Sequence, residues 1–164
     1  MSVTDDILRS YRAPREVLRR RMDGAGEDKA LALLMAACLI MFVAQWPYLS
    51  RLAFEDPSVP LEARLAGALM GWLFLVPLAA YLVAAATHIV GRLIFGAGSW
   101  FGARIALFWT MLAVSPLWLL NGLVAGFIGP GPALTLVATI AALAFLVIWG
   151  AGLREIYSTR TDTA

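Results

Sequence analysis

The chain predicts an all-α membrane protein, a four-transmembrane-helix bundle preceded by an N-terminal amphipathic interfacial helix. Three observations lead there. Of its 164 residues 61% are hydrophobic and 15% charged, whereas soluble domains run at about 45–50% and about 25%. From Ile105 to Leu153 there is no Asp, Glu, Lys, Arg or His. Lipid imposes that condition, because a charge at the centre of a span costs about 2.5–3.5 kcal/mol on insertion scales. Finally, polar or Gly/Pro-rich breaks divide the apolar sequence into four stretches, each long enough to cross about 30 Å of hydrocarbon.

Residues 1–29 form a basic amphipathic segment. Thr4 is placed to cap a short turn carrying Ile7, Leu8 and Tyr11, which Ala13-Pro14 breaks. Pro14 suits the first position of a second helix, and Gly24 its C-terminal stop. Val17, Leu18 and Met22 fall on one side of that helix, with Arg15, Arg19, Arg20 and Arg21 around the others. Two settings fit, a solvated basic tail or the headgroup layer of an anionic leaflet, where each Arg contributes about 1 kcal/mol. The second is the reading taken. Asp23, Glu27 and Asp28 make a charged hinge before the membrane.

The membrane domain runs over 30–154. Span one covers about 30–49 and ends in Trp46 and Tyr48, aromatic rings that favour the interface; Pro47 bends or ends its last turn. Ser50 to Arg64 is a polar loop with Glu55, Asp56 and Glu62. Span two covers about 65–91 and extends toward Phe95, with a kink expected at Pro77. Gly67 and Gly71 form a small-xxx-small pair that permits close approach of another helix. Gly91 to Arg104 is a surface turn released by Gly96 and Gly98, with Ser99 as N-cap of the next helix and Trp100 beside it. Span three covers about 104–128, with Ser115-Pro116 in mid-span and Asn121 placed for an interhelical hydrogen bond. Gly129-Pro130-Gly131-Pro132 turns the chain. Span four covers about 133–153 and delivers Arg154-Glu155 to a tail over 155–164.

Charge counting orients the chain. With four spans, the N-terminal segment, the 91–104 turn and the tail share one side, which holds eleven basic residues, while Arg51 and Arg64 are alone on the other. By the positive-inside rule both ends are expected in the cytoplasm. Twelve of the thirteen basic residues are Arg, which with the abundant Ala and Leu points to a GC-rich bacterial genome and hence to the inner membrane.

Little in the chain promises chemistry. Cys38 is the only cysteine and lies in an apolar run, so an internal disulfide and a cysteine-based metal cage are excluded. His88 is the only histidine; near the end of span two, it reads as an interfacial, solvated or headgroup-contacting imidazole rather than a proton relay. Ser99 has no following histidine to act as base. No carboxylate lies inside a span, where ion-coupled transporters and proton pumps usually place one. No phosphate loop, cofactor site or nucleic-acid surface is visible. The partners expected are the bilayer, anionic lipids, and either another membrane protein or further copies of this chain.

Several short motifs between about His88 and Ser158 fall in a recognisable order. Gly91-Arg92 precedes Phe95-Gly96-Ala97-Gly98-Ser99-Trp100, Ser115-Pro116 follows in mid-span, and Gly152-Leu153-Arg154-Glu155-Ile156-Tyr157-Ser158 closes the last span after Trp149. In these, and in the basic N-terminal helix with Pro14, the chain resembles the Yip (Ypt-interacting protein) family, specifically bacterial forms of its Yip-one domain. The resemblance implies a multi-span membrane protein without known catalytic residues. Eukaryotic relatives are linked to small GTPases, vesicle traffic and membrane shaping. The family's usual fifth span, which follows the charged closing motif, is expected to be missing here. The function expected is non-enzymatic, a structural, scaffold or accessory role. A small oligomeric transporter or channel subunit, resting on Pro77, Pro116, Ser115 and Asn121, is the alternative, and a lipid-binding or membrane-curving module resting on residues 14–22 is a third reading.

Overall fold

Seven α-helices and one π-helical turn make up nearly all of residues 3–23, 25–95 and 98–158, the part of the chain that the computed structural model describes. In order they are α1 (Val3–Ser10), α2 (Pro14–Met22), α3 (Glu27–Glu55), α4 (Leu61–Met70), the π turn (Gly71–Leu75), α5 (Val76–Phe95), α6 (Trp100–Phe127) and α7 (Pro132–Ser158). Among the described residues there is no strand. Four stretches are long and apolar enough to cross a bilayer: Glu27–Glu55, Leu61–Ile94, Trp100–Phe127 and Pro132–Tyr157. The protein is an all-α, multi-pass integral membrane protein.

The bundle is built around α6. Every residue of it from Ile105 to Ser115 is buried, so this apolar-all-round segment has protein rather than lipid on each side. α3 covers one side with Ala30, Leu34, Ala37, Cys38 and Met41, all buried and spaced by three and four residues as one helical stripe requires. α5 contributes the small residues Ala80 and Ala84, and its Tyr81 meets Phe108 edge-on at 5.1 Å between ring centroids. α7 closes another side through Ala141 and Ile148.

The two ends can be told apart by side-chain ties. Arg104, in the first turn of α6, pairs with Glu27 at the start of α3. At the opposite end Arg51 of α3 donates to the Gly126 carbonyl of α6 at 3.5 Å. α3 and α6 therefore run parallel, while the α4–α5 rod and α7 run in the opposite direction. One end collects α1, α2, Arg92, Arg104 and Arg154, and is called the basic end below. The far end carries Arg51, Arg64, Glu55 and Asp56. There the backbone N–H of Ser58 donates to Asp56 Oδ1 at 3.1 Å, and the side-chain and backbone hydrogen bonds from Ser58 hold the Asp56 carboxyl below its ordinary range.

Several expectations change. Pro47 does not end α3, which continues for two turns to Glu55; a transmembrane proline is tolerated where a neighbouring helix packs on it, and here Gly126 lies against the Pro47 ring. Span two is a rod from Leu61 to Ile94, and the disturbance expected at Pro77 falls just before it. The N–H of Val76 reaches back to Gly71 through a five-residue π turn, which shifts the carbonyls that the proline ring would otherwise strike. Gly67 and Gly71 touch nothing: a Cβ on either meets no atom within 4 Å. The close approach belongs instead to Gly122 and Gly126 of α6, where an added Cβ would run into the backbone of Ala44 and Pro47 on α3. Ser99 caps α6 as expected, its Oγ accepting from the Gly102 N–H at 2.9 Å. Pro132 opens α7 at the first helical position, and Gly129 before it takes φ 93°, a conformation that costs other residues a Cβ clash.

Candidate functional site: the basic end of the bundle

At the basic end the last turns of α5 and α7 meet the first turn of α6. Tyr157 is the residue that joins them. Its ring lies against the bare backbones of Gly91 on α5 and Gly98 ahead of α6, and Gly98 sits at φ 107°. Tyr157 Oη is 3.4 Å from His88 Nδ1, and the other face of this group is closed by Trp100, whose ring is 4.2 Å from the imidazole. His88 is only 2% exposed. The imidazole expected from sequence to be interfacial and solvated or headgroup-contacting is therefore a buried one, enclosed because a glycine of α5 and a glycine of the turn before α6 leave room for a tyrosine of α7.

The N-terminal helices lie in the same half of the bundle and reach from this end to the middle of α6. α1 and α2 fold back on each other and lie against α6 and α7. Ser10 passes a hydrogen bond inward: its Oγ donates to the Asp6 carbonyl at 2.8 Å and accepts from Trp109 Nε1 at 2.9 Å. Tyr11 donates to the Ala113 carbonyl at 2.9 Å, three residues before Pro116, where the proline loosens the helical ladder. Val17 and Leu18, 1% and 2% exposed, fill the space toward α7, where Leu18 meets Gly152. Asp6 is buried and holds Arg21 at 2.5 Å and Arg20 at 3.4 Å, while the Arg21 guanidinium stacks on the Trp109 ring, 4.5 Å from its centre.

This alters the reading of the amphipathic segment. Its apolar side faces protein, not acyl chains, and Thr4 lies inside α1 rather than at its cap. On the charged side Arg15 and Arg19 are exposed. Removing the acid that draws Arg20 and Arg21 inward should release the helices. Asp6→Asn is expected to weaken their docking by about 1–2 kcal/mol, raising the opened population roughly 5- to 30-fold. Hydrogen exchange of the α1 and α2 amides in micelles measures this, and protection equal to the parent protein's would contradict it.

The other residues singled out from sequence scatter. Trp46 is half exposed on α3, 6.1 Å from Phe42 and at the far end. Ser115 is buried in the α6 core. Pro116 lies within an unbroken α6. Asn121 makes no interhelical hydrogen bond, its buried Oδ1 having no partner. It borders a 560 Å³ groove at the far end with Gln45, Tyr48, Arg51 and Glu55. Arg154 and Glu155 are at the basic end as expected, Arg154 exposed. Gly24 and Gly96 lie outside the described residues.

Sequence reasoning missed Asp6, Ser10 and Trp109 as a connected set, and the meeting of Tyr157 with His88. A partial signal was present: Asp6 and Ser10 are four residues apart and so share a helix face, which gives α1 a polar side facing something other than lipid. Among the described residues no three of His, Cys, Asp and Glu lie close enough to hold a metal ion. Compared with family models, curated proteins and solved structures, the chain matches none.

Proposed function

We propose that the chain is a non-enzymatic membrane protein of the Yip type, acting as a structural, scaffold or accessory subunit in a bacterial inner membrane with both ends in the cytoplasm. The observation that carries this reading is the use to which its polar groups are put. Asp6 with Arg20 and Arg21, Arg104 with Glu27, Arg51 with the Gly126 carbonyl, Trp109 with Ser10, and Tyr157 with His88 each tie one part of the chain to another. The middle of the bundle is packed, with α6 buried on all sides from Ile105 to Ser115. Such an arrangement favours holding a shape over moving a solute or a proton.

Two further features support the reading. The motifs that carry the family resemblance are far apart in sequence and meet in space, since Tyr157 of the closing motif packs on Gly91 and on Gly98 of the surface turn. The rod from Leu61 to Ile94 has its Gly67 and Gly71 backbones open, a face on which a second membrane helix can pack closely. The test is purification from native membranes in mild detergent, comparing the parent chain with Gly67→Leu/Gly71→Leu. The parent is expected to run in a stoichiometric complex that the variant loses while staying folded. A parent chain recovered alone as a monomer would contradict the proposal.

The transport reading keeps one observation in its favour, the far-end groove with its unpaired Asn121 Oδ1. None of the α6 residues that line that groove belongs to the packed segment Ile105–Ser115, and the scaffold reading predicts no solute flux in liposomes and no change on Asn121→Ala. Flux that Asn121→Ala abolishes would favour transport instead.

A further inference from the structure

α5 and α7 both pack on α6 but scarcely on each other, and a seam remains open between them on the outside of the bundle. At the basic end it widens into a groove of 810 Å³, within the range of about 300–1,000 Å³ usual for small-ligand sites. Its walls are apolar, with Val90 of α5 on one side and Trp149 and Leu153 of α7 on the other. Arg15 of α2 and Arg154 of α7 also line it, and both are exposed. Among the described residues no carboxylate lines the groove, and the nearby Glu16 is already engaged by Arg20 at 3.4 Å. Among the described residues neither Arg15 nor Arg154 has an ion-pair partner.

Further along the same seam lies a second cavity of 510 Å³. It is bordered by Val83 of α5 and by Ala142 and Leu146 of α7, about one turn deeper than the first on both helices. From Leu153 to Ala142 the seam runs about 16 Å at 1.5 Å per residue, roughly half of a 30 Å hydrocarbon core and so one leaflet deep. Two exposed guanidinium groups above an apolar channel one leaflet long match one kind of molecule.

We propose that the α5–α7 seam is a binding site for an anionic glycerophospholipid of the leaflet at the basic end. Its phosphate lies between Arg15 and Arg154, and an acyl chain lies along Val90, Trp149, Val83 and Leu146. Basic pockets between helices at the membrane surface are suited to such headgroups because arginine offers paired donors to phosphate oxygens. Because Arg15 belongs to α2, the site exists only while the N-terminal helices are docked. A bound lipid therefore stabilises that docking by mass action. This inference stands apart from the scaffold proposal, since it concerns lipid and needs no protein partner.

The test is native mass spectrometry of the purified full chain in neutral detergent, with phosphatidylglycerol and phosphatidylcholine of identical acyl chains as probes. The parent is expected to retain phosphatidylglycerol about 30-fold better, two arginine contacts at the strength typical of the headgroup layer. Arg15→Ala/Arg154→Ala should bring the ratio close to one, while Arg12→Ala, an exposed arginine outside the groove, leaves it unchanged. A second variant tests the walls. Gly150 lines the groove, and a Cβ there meets nothing within 4 Å, so Gly150→Leu fills it without disturbing the fold and should lower retention of both lipids. Equal retention of the two lipids by the parent would overturn the proposal. So would equal losses from Arg12→Ala and the double variant, or a Gly150→Leu protein that binds lipid normally but loses a protein partner.

Discussion

Gly122→Val is expected to separate α3 from α6 at the far end of the bundle and to destabilise the protein by about 3 kcal/mol. A Cβ at Gly122 would fall on the Ala44 carbonyl, and one at Gly126 on Pro47. The obstacle at Ala44 is backbone inside α3, which cannot rotate away as a long side chain would. Overpacking a fitted interface costs typically about 1–3 kcal/mol, and a site whose obstacle is main chain belongs at the upper end. The helices also lose the short separation on which dispersion contacts depend, and in lipid that packing is the main attraction between spans. The matched control is Gly67→Val. That position is open, so the chain alone should be unaffected within about 0.5 kcal/mol. Reversible unfolding in mixed micelles reads both, and equal effects of the two valines would contradict the assigned packing.

Trp109→Ala is expected to cost about 3–5 kcal/mol and to free the N-terminal helices as well. Trp109 is among the largest fully buried side chains of the protein. It supplies three things at once: volume at the centre of the bundle, the N–H that holds Ser10, and the ring on which Arg21 stacks. Alanine removes all three, leaving the Ser10 hydroxyl without its donor and Arg21 without its platform. Trp109→Phe keeps most of the volume and the ring but removes the donor, so its loss should be about 1–2 kcal/mol and confined to the hydrogen bond. Hydrogen exchange should show α1 and α2 released in Trp109→Ala and mostly protected in Trp109→Phe. If α1 and α2 kept parent-like protection in Trp109→Ala, they would be docked by something other than this contact.

The four spans were legible because lipid punishes charge without regard to tertiary detail, and the run from Ile105 to Leu153 shows that directly. The cap at Ser99 and the turn at Gly129-Pro130-Gly131-Pro132 were legible for a similar reason, since both follow from local backbone chemistry. What the sequence could not settle was which apolar surface meets which. Gly67 and Gly71 carry the same spacing as Gly122 and Gly126, yet only the second pair has a helix against it. Spacing states that close approach is possible, and only the fold supplies the neighbour. Val17 and Leu18 posed the same problem, because an apolar stripe between arginines satisfies lipid and protein equally well. His88 and Tyr157, 69 positions apart in sequence, are brought together by the seats at Gly91 and Gly98, which nothing local announces.

The path of the chain through the membrane is the claim beneath all of these, and cysteine accessibility in sealed vesicles tests it most directly. In a Cys38→Ala background, single cysteines at Arg12, Ser58 and Gly131 occupy exposed or open positions. The four-span path predicts that an impermeant maleimide reaches Ser58→Cys and Gly131→Cys from one face and Arg12→Cys only from the other. Labelling of Ser58→Cys and Gly131→Cys from opposite faces, or of Arg12→Cys together with Ser58→Cys, would contradict it.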